Sequence, residues 1–544
     1  MPSPILVVAA LFLVAGLLVQ RSFGKQQRVP KGARTPSGPP GKPIVGNLLD
    51  IPPVQSWLQF KAWADTYGPI FRLNIMGRNH VVVSTEKIAN ELLRERGNLY
   101  SSREQLPMAA KLMSRDLRPL LLPYGDLWRR GRKLMHVLTM PTAATSYQPL
   151  QVYESERLLF DLLRSPDEYE KLFERYAGAV IIRLAYAKTI ETGDEPYLRD
   201  VLSVVHTVER VASPGAYLVD TFPSLMYLPS WLAPFKREAA RLHDFELTLF
   251  RGLLDEVREK VNQGKAPKCF TTTFLDKQAE FGLSDNEGAY VIGTLFEAGA
   301  GTTAAAMLSF CLAMCHYPDW QDELHKEVDR VVGDERMPSF DDVPDLPLVR
   351  AVVKEVLRWR PVTAGGVPHE LIKDDVYDGL FFPAGTNVHA NQWSVSFALT
   401  LLKGFQLGHE LTFRRAIHRD SELYPDPESF NPSRWLKPEF PTYREPLDKY
   451  PNIQNFSAFG FGRRICPGMN IAERSLNLLV ARMAWATKIS KRPGVDVPWY
   501  DYTSGFNVQP KKFAFDLKAR TPSKAKIVEH TWLEGKARDP LAGS

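Results

Sequence analysis

The sequence predicts a mainly α-helical domain with a small β-rich part, preceded by one apolar N-terminal helix. Three observations lead there. Helical periodicity of apolar residues dominates from about residue 85 to residue 360. Strand-like segments flank that stretch: residues 68–75 and 80–84 read as two strands joined through Met76-Gly77-Arg78-Asn79, and short strands alternate with loops after residue 360. Finally, residues 5–19 are apolar and are followed by Arg21, Lys25 and Arg28. That run is near the lower length limit of a membrane-spanning helix. No lysine or arginine precedes it, so the basic start of a secretory signal is missing, although a cleaved signal peptide is the competing reading. Positive charge after the span places the remainder in the cytosol.

The chain therefore divides into an anchor with its basic flank (1–28), a linker (29–50) and one folded domain (51–544). The linker contains Pro36-Ser-Gly-Pro-Pro-Gly-Lys-Pro43, too rich in proline and glycine for helix or sheet and suited to a stiff spacer. No charge run, repeat or low-complexity tract divides the rest of the 544 residues. Hydrophobic residues make up 44 % of the chain, enough for a large core, and the mild net charge of +6 argues against a nucleic-acid binder. Four cysteines (Cys269, Cys311, Cys315 and Cys466) form no disulfide framework and suit a reducing compartment. Cys311 and Cys315, four apart on a helix, read as core thiols before a metal pair.

Cys466 carries the most chemistry. It ends the spaced pattern Phe459-Gly-Phe-Gly462-Arg-Arg464-Ile-Cys466-Pro-Gly468, a glycine-rich bend just before a helix. A helix N-terminus and nearby arginines favour a thiolate there. A thiolate can ligate haem iron and favour O–O cleavage. With all five spaced residues present, the chain resembles the cytochrome P450 family, the haem-thiolate monooxygenases, of the fungal membrane-anchored microsomal type. The resemblance implies the cytochrome P450 fold, a haem b cofactor with Cys466 as the iron ligand, Phe459 among the cofactor-binding residues, and Arg464 holding a propionate. It also implies an endoplasmic reticulum membrane protein, single-pass, with the catalytic domain facing the cytosol. Its partners would be NADPH-cytochrome P450 reductase and a lipophilic small-molecule substrate.

Other motifs acquire roles from the same resemblance. Trp128 and Arg132, four apart on one helix face, match the pair that holds a haem propionate. His369, in Val367-Pro-His369, matches a propionate-binding position. Nearby Arg129, Arg130 and Lys133 read either as a basic docking surface for an electron donor or as a solvated face. Glu355-Val-Leu-Arg358 with Arg434 is expected to form a structural network near the cysteine loop. The helix through Val291–Thr303 carries small residues that would let a flat cofactor and a substrate approach closely. Thr302 falls on the oxygen-activating threonine position, but the usual adjacent acid is Gly301. Glu297, one turn earlier, is the candidate substitute, with water or a substrate hydroxyl as alternatives. Substrate contacts are expected from residues 104–122, 296–302, 362–367 and 504–506.

Residues 394–415 interrupt a stretch in which fungal relatives resemble a direct run from Trp393 to Ala416. Two readings stand: a translated intron or a surface insertion. A tryptophan codon ends in G and a serine codon can begin with T, giving a GT donor. An arginine codon can begin with AG, giving the acceptor and regenerating tryptophan. Three functions compete. The first is a monooxygenase oxidising a lipophilic small molecule with O₂ and NADPH-derived electrons; the cysteine motif and Tyr502-Thr-Ser-Gly-Phe506 are similar to fungal members of secondary-metabolite pathways. The second is a haem-thiolate isomerase or dehydratase needing no external electrons. The third is an inactive haem-binding protein.

Overall fold

The computed structural model describes residues 28–213, 215–393, 416–444, 446, 449, 451–537 and 539. The apolar run at 5–19 and the interruption at 394–415 lie outside the described residues. The longer helices are α1 (Ser56–Tyr67), α2 (Asp126–Thr139), α3 (Gln148–Arg164), α4 (Tyr169–Tyr186), α5 (Pro196–Val211), α6 (Pro234–Asn262), α7 (Asp285–His316), α8 (Pro318–Val332), α9 (Pro347–Trp359), α10 (Met469–Ala486) and α11 (Pro522–Lys536). The strands are β1 (Ile70–Ile75), β2 (Arg78–Val83), β3 (His369–Glu370), β4 (Asp375–Tyr377), β5 (Leu380–Phe382), β6 (Asn387–Ala390), β7 (Thr487–Lys491) and β8 (Phe515–Ala519). A mainly α domain with a small β part is what the sequence predicts.

The helical core is organised around α7. Ser284 and Glu287 start this helix with a reciprocal cap: the Glu287 N–H donates to Ser284 Oγ at 3.3 Å, and the Ser284 N–H donates to the Glu287 carboxylate at 2.6 Å. The helix packs most extensively on α4 and also touches α2, α5, α6, α9 and α10. Among the described residues it is the helix long and apolar enough to cross a membrane, yet 72 % of its apolar window is buried in the protein. An all-round apolar surface here marks a core helix. Cys311 and Cys315 are buried on it, as expected of core thiols.

Most glycines of α7 serve helix packing and not cofactor approach, which corrects the sequence reading. A Cβ at Gly288 would lie 2.1 Å from the Phe274 ring, at Gly293 2.5 Å from the Phe250 ring, and at Gly299 2.8 Å from Ile181. Gly301 differs, with nothing within 4 Å of the same point.

The β part contains a four-stranded sheet in the order β1-β2-β6-β3, with β2 and β6 parallel, and the two-stranded ladders β4–β5 and β7–β8. The β1–β2 connection is tighter than predicted. Met76 and Gly77 both take positive φ, 51° and 82°, and close a two-residue turn. Arg78 and Asn79 therefore pair with Ile75 and Asn74 instead of looping out.

The expected buried network is present. The Arg358 Nε and Arg434 Nε donate to the Glu355 carboxylate at 2.8 and 3.0 Å. All three residues are fully buried. Burial alone would raise the Glu355 carboxyl, but the two guanidinium groups outweigh it and hold it below the usual range.

These contacts predict opposite outcomes for two glycines of one helix. Gly293→Ala drives a methyl into Phe250 and should destabilise the protein by about 1–3 kcal/mol. Gly301→Ala meets open space and should gain up to about 1 kcal/mol of helix propensity. Thermal unfolding followed by circular dichroism separates them, and equal midpoint shifts would contradict the packing assignment.

Candidate active site

The cysteine segment is a tight loop between the turn Ser457–Phe459 and α10. The Cys466 N–H donates to the Phe459 carbonyl at 2.8 Å and closes the loop. Gly462 has φ of 55°, and a Cβ there would sit 2.1 Å from the Leu93 carbonyl oxygen, so the pattern demands glycine at this point. Cys466 is enclosed by protein yet solvent-accessible; its sulfur therefore faces an internal space.

Burial raises the Cys466 thiol pKa; the N–H of Gly468, the charge of Arg132 and the N–H of Met469 oppose this without cancelling it. Burial thus works against the thiolate that the Gly468 and Met469 N–H groups and Arg132 favour. Arg463 and Arg464 turn away from the sulfur. Arg463 donates to the Tyr124 hydroxyl, and Arg464 donates to the carbonyls of Ser101 at 2.8 Å and Leu122 at 2.7 Å. A metal cation at the sulfur would supply the missing charge.

Beside the cysteine lies a buried group of cationic side chains. Arg132 NH2 donates to the Ile465 carbonyl at 2.5 Å, and the Arg464 guanidinium stacks 4.3 Å from the centre of the Trp128 ring. This brings together Trp128, Arg132 and Arg464 as predicted. His369 Nδ1 lies 2.7 Å from the Tyr100 carbonyl, which fixes a proton on Nδ1. Arg103 was missed by the sequence reading. It donates to the carbonyls of Val367 at 2.9 Å and of Pro368, and its buried Nε has no partner.

None of Arg103, Arg132 and Arg464 forms an ion pair with a carboxylate among the described residues. Their electrostatics show the consequence. Burial, then Arg103 and Arg132, push Arg464 down to about 8. Burial alone pushes Arg103 down to about 9. Burial and the neighbouring Arg103 keep His369 far below its ordinary value and therefore neutral. Cationic side chains without a counter-charge are costly inside a protein. A flat group bearing two carboxylates and an iron for Cys466 fits this donor set, with Trp128, Arg132, His369, Arg464 and Arg103 placed to hold it.

On α7, Ala298 is exposed and Thr302 partly so. The Thr302 hydroxyl donates to the Ala298 carbonyl at 3.1 Å, which leaves its oxygen lone pairs free to accept. Glu297, the candidate substitute acid, is held in an ion pair. It accepts from the fully buried Arg118, whose other terminal nitrogen lies 2.8 Å from Glu246. Of the expected substrate segments, Met108, Ala109 and Met113 sit in the core. The Val508 N–H donates to the Val362 carbonyl at 2.7 Å, so the segments at 362–367 and 504–506 adjoin. The Phe506 N–H is held by Glu209 of α5 at 2.8 Å. Arg129, Arg130 and Lys133 all find partners within the chain: Arg130 contacts Asp126 at 2.9 Å, Arg129 contacts it at 3.7 Å, and Lys133 Nζ donates to the Glu280 carbonyl at 3.4 Å.

A family model for cytochrome P450 matches residues 36–398 and 411–517. The chain belongs to the cytochrome P450 family. It is similar to cytochrome P450 monooxygenase fogE of Aspergillus ruber, 35 % identical over 93 % of this chain and 91 % of that protein. Against cytochrome P450 monooxygenase virE of Hypocrea virens the identity is 34 %, over 98 % and 93 %. The fold is shared with a zebrafish cytochrome P450 solved with progesterone: TM-score 0.67, 24 % identity, covering 85 % of this chain and 99 % of that one. The protein is thus a cytochrome P450 monooxygenase, an oxidoreductase that incorporates molecular oxygen, and its family implies a haem-iron cofactor.

The cationic cluster makes Arg103 testable. Arg103→Gln removes one donor and one positive charge from the haem side. It should speed haem loss to apomyoglobin about tenfold, as for about 1.4 kcal/mol of lost binding. An unchanged rate would remove Arg103 from the haem-holding set.

Proposed function

We propose that this enzyme is a haem b monooxygenase that hydroxylates or otherwise oxidises a lipophilic small molecule in fungal secondary-metabolite biosynthesis. Electrons come from NADPH through cytochrome P450 reductase. The observation that carries this reading is Cys466, open to an internal space and flanked by cations without counter-charges. Haem, when bound, supplies oxygen activation. The chain supplies the rest. Cys466 ligates the iron, and Trp128, Arg132, His369 and Arg464 hold the propionates. Thr302 accepts and passes protons, with Glu297 as their source beside Gly301. The test is spectroscopic and kinetic. The reduced, carbon monoxide-bound protein should show the red-shifted Soret band of thiolate haem, and Cys466→Ser should lose it. Reductase-supported turnover of pathway intermediates should consume NADPH and O₂. Conversion without NADPH would instead establish an isomerase or dehydratase.

The same reading places the enzyme on the endoplasmic reticulum membrane, single-pass, facing the cytosol. Support comes from the apolar run at 5–19 and from exposed apolar side chains in two neighbouring segments. Leu218, Tyr227, Trp231 and Leu232 are exposed in one, and Ile44, Leu49 and Val54 in the other. The segments meet where the Leu48 side chain comes within 3.8 Å of the Cβ position at Gly215. Removing residues 1–28 should release the enzyme from microsomes with its haem spectrum intact; a processed, secreted chain would favour a signal peptide.

We further infer that residues 394–415 are absent from the working enzyme. The family match skips 399–410 and resumes beyond. The flanking backbone supports a direct join. The Ile417 N–H donates to the Asn391 carbonyl and the His418 N–H to the Gln392 carbonyl, both at 3.0 Å. With Trp393 joined to Ala416, each pair is four residues apart, the spacing of an α-helical turn. Trp393, Ala416 and Ile417 are fully buried at this junction. The shorter chain should therefore incorporate haem at higher yield than the longer one. Transcripts that all retain the intervening codons would overturn the inference.

A further inference from the structure

Behind the oxygen-facing side of α7 lies a buried charged cluster that the scheme above uses only at its inner edge. Arg118, from the loop before α2, is fully buried and contacts two carboxyl groups, Glu246 of α6 and Glu297 of α7. Glu246 is buried as well; the Glu297 side chain keeps 10 % exposure. The Tyr290 hydroxyl donates to Glu246 Oε2 at 3.2 Å. His243 Nδ1 lies 2.8 Å from the Met113 carbonyl and 3.3 Å from the Tyr290 hydroxyl. Because Nδ1 faces a carbonyl, it carries the proton, and the donors run in one direction: His243 Nδ1–H, Tyr290 O–H, Glu246 carboxyl. His243 stands at the outer end of this row, next to the exposed Asp244.

Charge counting sets the protonation of the cluster. One guanidinium faces two carboxyl groups, and ionising both would leave an uncompensated negative charge in the interior. Burial raises Glu246, Arg118 opposes this, and the Glu297 charge raises it further. Arg115 and Asp244 are the other charged groups acting on His243, and Arg115 also acts on Tyr290. At the inner edge, Glu297 and Gly301 are four apart and share a helix face. A side chain at Gly301 would meet nothing within 4 Å among the described residues, which leaves room for water where relatives resemble an acid position.

We propose that Arg118, Glu246 and Glu297 form a one-proton store that serves the oxygen-facing side of α7 through water beside Gly301, and that Tyr290 and His243 refill it. The step balances without an added reactant. The Glu297 carboxylic acid gives its proton to that water, the water gives one to the Thr302 oxygen, and Thr302 passes its own to the reduced oxygen that the monooxygenase reaction supplies. Arg118, which contacts both carboxyl groups, returns a proton to Glu297 as it takes one from Glu246. Glu246 then takes the Tyr290 proton while Tyr290 takes the Nδ1 proton of His243, which solvent has first protonated at Nε2. Tyr290 and His243 are positioning and supply residues, not catalytic ones. The proposal rests on the monooxygenase reading for its purpose, but its first test does not.

That test is infrared difference spectroscopy on the resting holoenzyme at neutral pH, comparing variants with the wild type. The wild type should show one buried carboxylic-acid C=O stretch that moves slowly on transfer to D₂O. Either Glu246→Gln or Glu297→Gln should abolish it, because the remaining carboxylate then pairs with Arg118 as a simple ion pair. A wild type without the band, or a band that survives both substitutions, overturns the store. The second test follows NADPH oxidation with reductase and O₂ in the absence of substrate. Glu246→Gln and Tyr290→Phe should each divert reduced oxygen from water to peroxide, with proton-dependent turnover lowered by about a hundredfold in the former. Tyr290→Phe retains both carboxyl groups and the infrared band, so it reads the supply route even if Glu246→Gln folds poorly. Unchanged peroxide yield in Tyr290→Phe overturns the route. A wild type that shows the band but consumes no NADPH would instead reject the monooxygenase reading.

Discussion

The Glu355 carboxylate is the fixed point of this molecule. It accepts from Arg358, from Arg434, from the Asn431 N–H at 2.8 Å and from the Trp435 indole at 3.1 Å, all within a dry interior. A buried charge persists only when every lone pair is used, and here the donors come from two segments about eighty residues apart in sequence. The arrangement reaches the cysteine in few steps. Arg358 also donates to the His418 carbonyl at 3.0 Å; the His418 ring lies 3.0 Å from Ser457 Oγ; and Ser457 opens the turn whose last carbonyl receives the Cys466 N–H. The position of the sulfur is therefore set by a chain of polar contacts that begins at a carboxylate on α9.

The stretch around Trp393 and Ala416 is tied into the same arrangement. His418 belongs to the chain of contacts just described and, through its N–H, to the turn that continues from Gln392. Trp393 and Ala416 thus lie beside the contacts that lead to the Cys466 loop.

Much of the site was legible in the sequence because its parts are local. The Phe459–Gly468 pattern encodes one tight loop, Trp128 and Arg132 share a helix face, and Glu355 and Arg358 are three apart. Arg103, Arg118 and Glu246 were not legible, because their meaning arises only from contacts across the fold; Arg118 and Glu297 are 179 residues apart. The glycines of α7 misled for a related reason. Small residues permit close approach, but the sequence does not say whether Phe250, Ile181 or a cofactor does the approaching. At Cys466 the helix N-terminus and arginine effects are visible in sequence, while the opposing effect of burial is not.

The arginines around the haem site have a consequence for the life of the protein in the cell. Arg103, Arg132 and Arg464 come from three separate segments, and without an anion between them they repel one another. A ligand that binds only the folded chain stabilises it in proportion to its supply. Iron porphyrin bound between them would therefore stabilise newly made chains, and chains without it would be more exposed to chaperones and proteases.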